Sequence, residues 1–135
     1  MAGYSKKSLV EKLGIKTGQK VYLGNAPQGY ENTLGSLPDG VILAKSRRGS
    51  YDLIQFFTTE RAELESMFPE LKESLLPNGS LWISWPKGAA KIKTDVNETV
   101  VRKIGLENGL VDVKVCAVDD VWSGLKFVYR LKDRA

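Results

Sequence analysis

The stretch VDVKVCAVDDVWSGLKFVYRL, Val111 to Leu131, decides the fold. Residues 111–118 and 122–131 are apolar and rich in β-branched and aromatic side chains. Asp119-Asp120 lies between them, and a link this short joins antiparallel neighbours only. Ahead of this pair the pattern changes. Asp95-Val96-Asn97-Glu98 has the form of a capping box with Asp95 as the acidic cap, and it predicts a helix to about residue 108 that is terminated by Gly109. Leu81-Trp82-Ile83-Ser84-Trp85 reads as a buried strand ended by Pro86, and residues 87–94 as a lysine-bearing loop. Leu64, Met67, Phe68, Leu71 and Leu75 recur at helical spacing behind a Thr58 or Thr59 cap. Pro69 predicts a kink or restart in that helix, and Pro77-Asn78-Gly79 a closing turn.

Further upstream, residues 52–57 form an apolar run that suits a strand buried on both faces, and residues 41–44 and 21–23 read as two shorter strands. Gly24 to Tyr30 is a loop by composition, and a brief helix is expected over residues 30–36 before the Pro38-Asp39-Gly40 turn. Ser5 is expected to cap a first helix over residues 6–13, stopped by Gly14. Strands alternating with helices imply one α/β domain over residues 1–135. Its sheet of about six strands is mostly parallel, covered by helices on both faces and closed by an antiparallel C-terminal strand.

Composition excludes several chemistries. The 135-residue chain has no histidine, which rules out Ser-His-Asp and Cys-His catalysis and the common histidine-containing zinc sites. Cys116 is the sole cysteine, so no internal disulfide forms, and its place in a strand reads as inert packing. No apolar run reaches the roughly 18 residues of a membrane span, and no apolar leader follows the first lysines, so the chain reads as cytoplasmic. The net charge of +4 comes from 20 basic and 16 acidic side chains. The basic residues form groups too short for a nucleic-acid-binding tail and read as solvated surface.

Several segments resemble the methyltransferase-type Rossmann fold. Leu13-Gly14-Ile15-Lys16-Thr17-Gly18-Gln19-Lys20-Val21 is similar to the lead-in to that fold's first strand, and Tyr51-Asp52-Leu53-Ile54 to its fourth. Leu75-Leu76-Pro77-Asn78-Gly79-Ser80-Leu81 resembles the turn before its fifth strand, and Ile104-Gly105-Leu106-Glu107-Asn108-Gly109-Leu110 the approach to its sixth. The whole chain also resembles an uncharacterised family of small bacterial proteins classed as a domain of unknown function. That likeness rests on Ala2-Gly3-Tyr4-Ser5, on Asn25-Ala26-Pro27-Gln28-Gly29-Tyr30, on Trp85-Pro86-Lys87 with Thr94-Asp95, and on Asp112 to Asp119 with Trp122 to Phe127. The resemblance implies a three-layer, Rossmann-like and methyltransferase-like sheet, and it marks Asn25, Lys87, Thr94, Asp95, Asp119, Trp122, Ser123 and Lys126 as candidate ligand-binding residues.

Two departures bear on S-adenosylmethionine. No G-x-G-x-x-G follows the first strand, and Pro27 removes an N–H from the loop. Lys45 follows residues 41–44, where the fold would place an acid for the ribose, and one strand is missing before Asp52.

In open α/β sheets ligands bind outside the carboxyl ends of the strands, which here gathers the 25–30 loop, Lys87, Thr94, Asp119, Trp122 and Ser123 near one edge. Gly24 to Gly29 has phosphate-loop spacing, but Tyr30 stands where lysine and a hydroxyl residue should follow, which makes Tyr30 a further candidate. Each candidate has a plainer alternative. Asn25 is a ligand hydrogen-bonder or a left-handed turn residue; Lys87 holds an anion or is a solvated loop lysine. Thr94 and Asp95 form a helix cap or a site; Asp119 and Asp120 are a carboxylate pair or a solvated turn. Trp85 and Trp122 stack on a base or pack in the core. The favoured expectation is a non-catalytic or pseudoenzyme module that binds a small anionic or nucleotide-like ligand, or a protein partner, with no metal and no assigned cofactor. An atypical S-adenosylmethionine-dependent methyltransferase is the alternative, and nucleic-acid binding a third reading.

Overall fold

The computed structural model describes residues 7–134. The Ser5 cap and the Ala2-Gly3-Tyr4-Ser5 segment lie outside them. Helix α1 spans Leu9–Leu13. Ser8 caps it through a complete capping box with Glu11, and Gly14 ends it in the left-handed conformation, so the helix begins three residues later than residue 6. Then follow β1 (Lys20–Gly24), α2 (Tyr30–Leu34), β2 (Ile42–Ala44), β3 (Tyr51–Phe57), α3 (Arg61–Glu73), β4 (Leu75–Pro86), α4 (Glu98–Glu107), β5 (Leu110–Ala117) and β6 (Trp122–Tyr129).

These strands form one six-stranded sheet in the order β2-β1-β3-β4-β6-β5. The first four are parallel; β6 inserts between β4 and β5, antiparallel to both. The final hairpin therefore folds back into the sheet, and β5, its first strand, becomes the edge. Helices cover both faces. On one, Leu64, Phe68 and Leu71 of α3 and Val101 and Ile104 of α4 pack on Ile54, Phe56, Ile83, Leu125 and Phe127. On the other, Val10 and Leu13 of α1 and Tyr30 and Leu34 of α2 pack on Val21, Leu53, Phe57 and Trp82. Trp82 is fully buried and its indole N–H donates to the Leu13 carbonyl at 2.9 Å, fixing α1 to the sheet. Among the described residues no helix is long and apolar enough to cross a membrane.

Four local expectations are corrected. Pro77-Asn78-Gly79 is not a turn: β4 starts at Leu75 and the register slips opposite Tyr51–Leu53, so these residues form an irregularity inside the strand. The cause is tertiary, because a Cβ at Gly79 would lie 2.8 Å from the Asp52 carbonyl oxygen. Helix α3 continues through Pro69 without a restart. Pro69 and Glu65 are both exposed, so the carbonyl that proline leaves unpaired belongs to the solvent face of the helix. Neither threonine is the N-cap of α3; that residue is Glu60, which makes no side-chain capping bond. Asp95 does not cap α4; Asn97 does, accepting from the Val100 N–H. Asp95 instead reaches across to α3 and accepts the Arg61 N–H at 2.7 Å.

Candidate functional site

The carboxyl edge of the sheet starts at β1. Gly24 is required there, since a Cβ would lie 2.7 Å from the Phe56 ring. The chain then turns through Asn25 at φ 54° and Gly29 at φ 81°. Asn25 takes the turn conformation and also donates to Glu63 at 3.3 Å; the same carboxylate accepts from the Thr58 hydroxyl at 2.7 Å. Asn25 thus ties the loop to the first turn of α3.

Tyr30 follows the loop and is buried. Its hydroxyl donates to Gln55 at 2.6 Å, and Gln55 donates to Ser84 at 3.1 Å, so the buried polar groups satisfy one another. Burial raises the phenol pKa well above the usual range. The Gln55 hydrogen bond opposes that rise, and the Asp119 carboxylate and Cys116 add to it. The Tyr30 ring meets Phe57 edge-on at 4.7 Å between centroids, and Phe57 meets Trp122 in the same way at 5.1 Å. This aromatic row fills the crevice over β3 from within the chain.

Beyond the row, Asp119 Oδ1 accepts the N–H groups of Val121 and Trp122, each at 2.8 Å, and the Lys87 N–H donates to the Val121 carbonyl at 2.8 Å. Lys87, Asp119, Trp122 and Ser123, which pairs with Trp85, therefore belong to one corner. Trp85 itself is buried in the core cluster with α3 and α4. The Thr94 hydroxyl donates to the Thr59 carbonyl at 2.6 Å, so Thr94 and Asp95 clasp the start of α3. Lys126 is not at this edge. Its side chain projects on the α1 face toward the opposite end of the sheet, beside Gly14, Lys16 and Lys114. The Cys116 thiol is partly buried and its pKa is raised by that burial, although Lys114 and Lys12 pull it down.

The cleft at this edge lies between the 25–29 loop, α2 and the end of β2, and encloses about 400 Å³. Leu23, Leu43 and Ala26 give it an apolar floor, and Glu31 and Lys45 bring opposite charges to its wall. Of the sequence-predicted candidates, only Tyr30 lines it. Ala26, Glu31 and Lys45, which also line it, are not among those candidates. One signal was available: Gly24-Asn25-Ala26-Pro27-Gln28-Gly29 reads G-x-A-x-x-G, the dinucleotide-type turn with alanine in place of its middle glycine.

Several solved structures similar to this chain are methyltransferases. With 13% identity and a TM-score of 0.61, 90% of this chain matches 74% of magnesium protoporphyrin IX methyltransferase from Synechocystis PCC 6803, solved with bound S-adenosylmethionine. A ribosomal protein L11 methylase from Lactobacillus delbrueckii subsp. bulgaricus gives 14% identity and TM-score 0.62, over 90% of this chain and 75% of that one. A SAM-dependent methyltransferase from Aquifex aeolicus gives 18% and 0.59, over 88% and 86%. At such identities the likeness establishes the fold, which is the Rossmann-like, methyltransferase-like α/β sheet. No protein-family model and no curated protein matches the sequence, so the likeness to a family of unknown function is supported only as far as this fold.

The cleft has the place and the size for a ligand of the S-adenosylmethionine class, while two residues that would face such a ligand depart from the usual pattern. The cleft opens at the carboxyl ends of β1 and β2 beside the glycine-bearing turn, and its volume lies within the roughly 300–1,000 Å³ range of small-molecule sites. Gly24 and Gly29 keep the turn's outer glycine positions. Ala26 adds one methyl where the backbone would approach the ligand, and Lys45 stands where an acid would take the ribose, with Glu31 as the carboxylate present instead.

Proposed function

We propose that this chain binds S-adenosylmethionine, or a nucleoside of that class, in the cleft between the 25–29 loop and the end of β2, as an atypical methyltransferase-type domain. The supporting observation is that the cleft coincides with the G-x-A-x-x-G turn. Leu23 and Leu43 would take the apolar parts of the ligand, and Glu31 its hydroxyl or ammonium groups. When bound, the ligand supplies an electrophilic methyl group. Tyr30 takes no proton: its phenol is buried, donates to Gln55 and stays protonated, so the ring serves to wall the cleft. The methyl acceptor comes from outside the chain.

The reading of the chain as a non-catalytic module draws no support from its structural relatives. One observation keeps an anionic ligand as a second reading at the same place, namely Lys45 at the end of β2. Thermal shift with S-adenosylmethionine, its demethylated product and inorganic phosphate separates the two. S-adenosylmethionine or its product should stabilise the chain by about 2.7 kcal/mol at a hundredfold excess over Kd. Ala26→Leu should abolish that shift without changing the unliganded Tm, because Ala26 is exposed. A Tm unmoved by either nucleoside, or a shift that survives Ala26→Leu, sinks the proposal. A phosphate shift removed by Lys45→Glu, with none from the nucleosides, assigns the cleft to an anion.

A further inference from the structure

Lys126, set apart by its sequence and unused by the cleft, leads to the other end of the sheet. There a basin of about 460 Å³ opens between α1, the irregular part of β4 and strands β5 and β6. Lys12, Lys16, Lys114, Lys126 and Arg134 line it, with Glu11 as the one acid, so this spot alone matches the +4 imbalance of the whole chain. Glu11 is engaged elsewhere, accepting the Ser8 N–H at 3.1 Å. Among the described residues none of the five cations forms an ion pair; the pairs present use Arg47, Arg61 and Arg102. Gly14 packs beside the Lys126 ammonium, its Cβ position being at van der Waals distance, 3.8 Å, from Nζ.

We propose that this basin is a binding site for a compact polyphosphate, a small molecule carrying two or more linked phosphates, held through its phosphates. Cations gathered from four separate parts of the chain converge on one concavity whose single acid, Glu11, offsets only one of them, so they repel one another until a polyanion arrives. Burial lowers the Lys126 pKa, and Lys114 and Lys16 lower it further, as such crowding requires. The shape favours a compact ligand over a nucleic-acid backbone: the charges surround a bounded basin, and no aromatic ring lines it on which a base would stack. Gln19, Asn78 and Ser80 add neutral hydrogen-bonding groups to the wall. The site is remote from the Ala26–Lys45 cleft and does not depend on what that cleft binds.

The test is isothermal titration of the full chain at low ionic strength with tripolyphosphate, inorganic phosphate and a short DNA duplex. Tripolyphosphate should bind about tenfold or more tighter than phosphate, and its affinity should fall steeply with salt. Lys114→Gln combined with Lys126→Gln should weaken it by about tenfold or more, while Lys45→Glu, in the distant cleft, should leave it unchanged. Because the double variant relieves repulsion, it should keep or raise the unliganded Tm at low salt, which separates lost binding from lost folding. Absence of tripolyphosphate binding, equal binding by the double variant, or tighter binding of the duplex overturns the proposal.

Discussion

Tyr30 shows how one side chain joins the core to the edge of the cleft. Its ring lies in the apolar layer under α2 while its hydroxyl is paired to Gln55 in the same layer. Tyr30→Phe keeps the ring and removes the donor, leaving the buried Gln55 oxygen short of a partner, which should cost about 1–3 kcal/mol. The same phenol sets a pH dependence. Its folded pKa is raised above the ordinary 10.0, so its contribution to stability is complete below that value and is lost as pH rises through and beyond it, where the unfolded chain ionises first. Urea denaturation across the alkaline range should show wild type losing stability more steeply than Tyr30→Phe. Parallel curves for the two proteins would mean that the phenol is not buried. Trp82 makes the companion case, because its indole N–H is the donor paired with the Leu13 carbonyl. Trp82→Phe should cost about 2 kcal/mol or more, from the unpaired carbonyl and the lost volume, read as a lower midpoint at unchanged slope.

At the scale of elements, the joints between helices and sheet decide what single changes do. Asp95 acts as the cap of a helix that begins 34 positions before it in sequence, so Asp95→Ala should cost about 1 kcal/mol and speed amide exchange at Arg61 while leaving α4 protected. Faster exchange along α4 instead would return Asp95 to the local role its capping-box spacing suggests. Gly105 is the tightest joint: a Cβ there would lie 2.0 Å from the Phe127 ring, so α4 touches β6 through bare backbone. Gly105→Ala raises helix propensity yet should destabilise by about 1–3 kcal/mol, because the ring and helix must separate. These joints also explain what the sequence hid. Strands and helices are legible from apolar periodicity, and β3 and the stripe on α3 follow it. Pro77-Asn78-Gly79 carries every local mark of a turn, but the nearby Asp52 carbonyl that makes Gly79 necessary belongs to another strand. Asp95 and Asn97 both suit a cap, and only tertiary geometry separates their helices.

For the molecule as a whole, the short edge strand β2 leaves an asymmetry. The sheet is thick at β3 and β4 and thins to β2, three residues long, at the edge beside β1, with Ile42 exposed. The cleft lies at this thin end, floored by Leu43 and Ala44 of β2 and walled by the 25–29 loop. The strand–helix order locates the carboxyl edge, but it does not assign Glu31 or Lys45, whose meeting depends on how the short α2 sits over β2. Nor could it show that Lys126, one residue from core-facing Leu125 and Phe127, belongs to a basin at the far end. Edge strands with little pairing open locally at small cost, whereas central strands exchange only with global unfolding. Amides of β2 should therefore exchange well before those of β3 and β4 in the unliganded chain. A ligand in the cleft touches both β2 and the loop, so it should slow exchange at Leu43 and Ala44 by more than it raises global stability, while a polyphosphate in the basin should leave those amides unchanged. Hydrogen exchange with each ligand in turn reads both sites in one experiment. Equal protection of β2 by both ligands would show that the two ends of the sheet are coupled, and would contradict the independence argued for them.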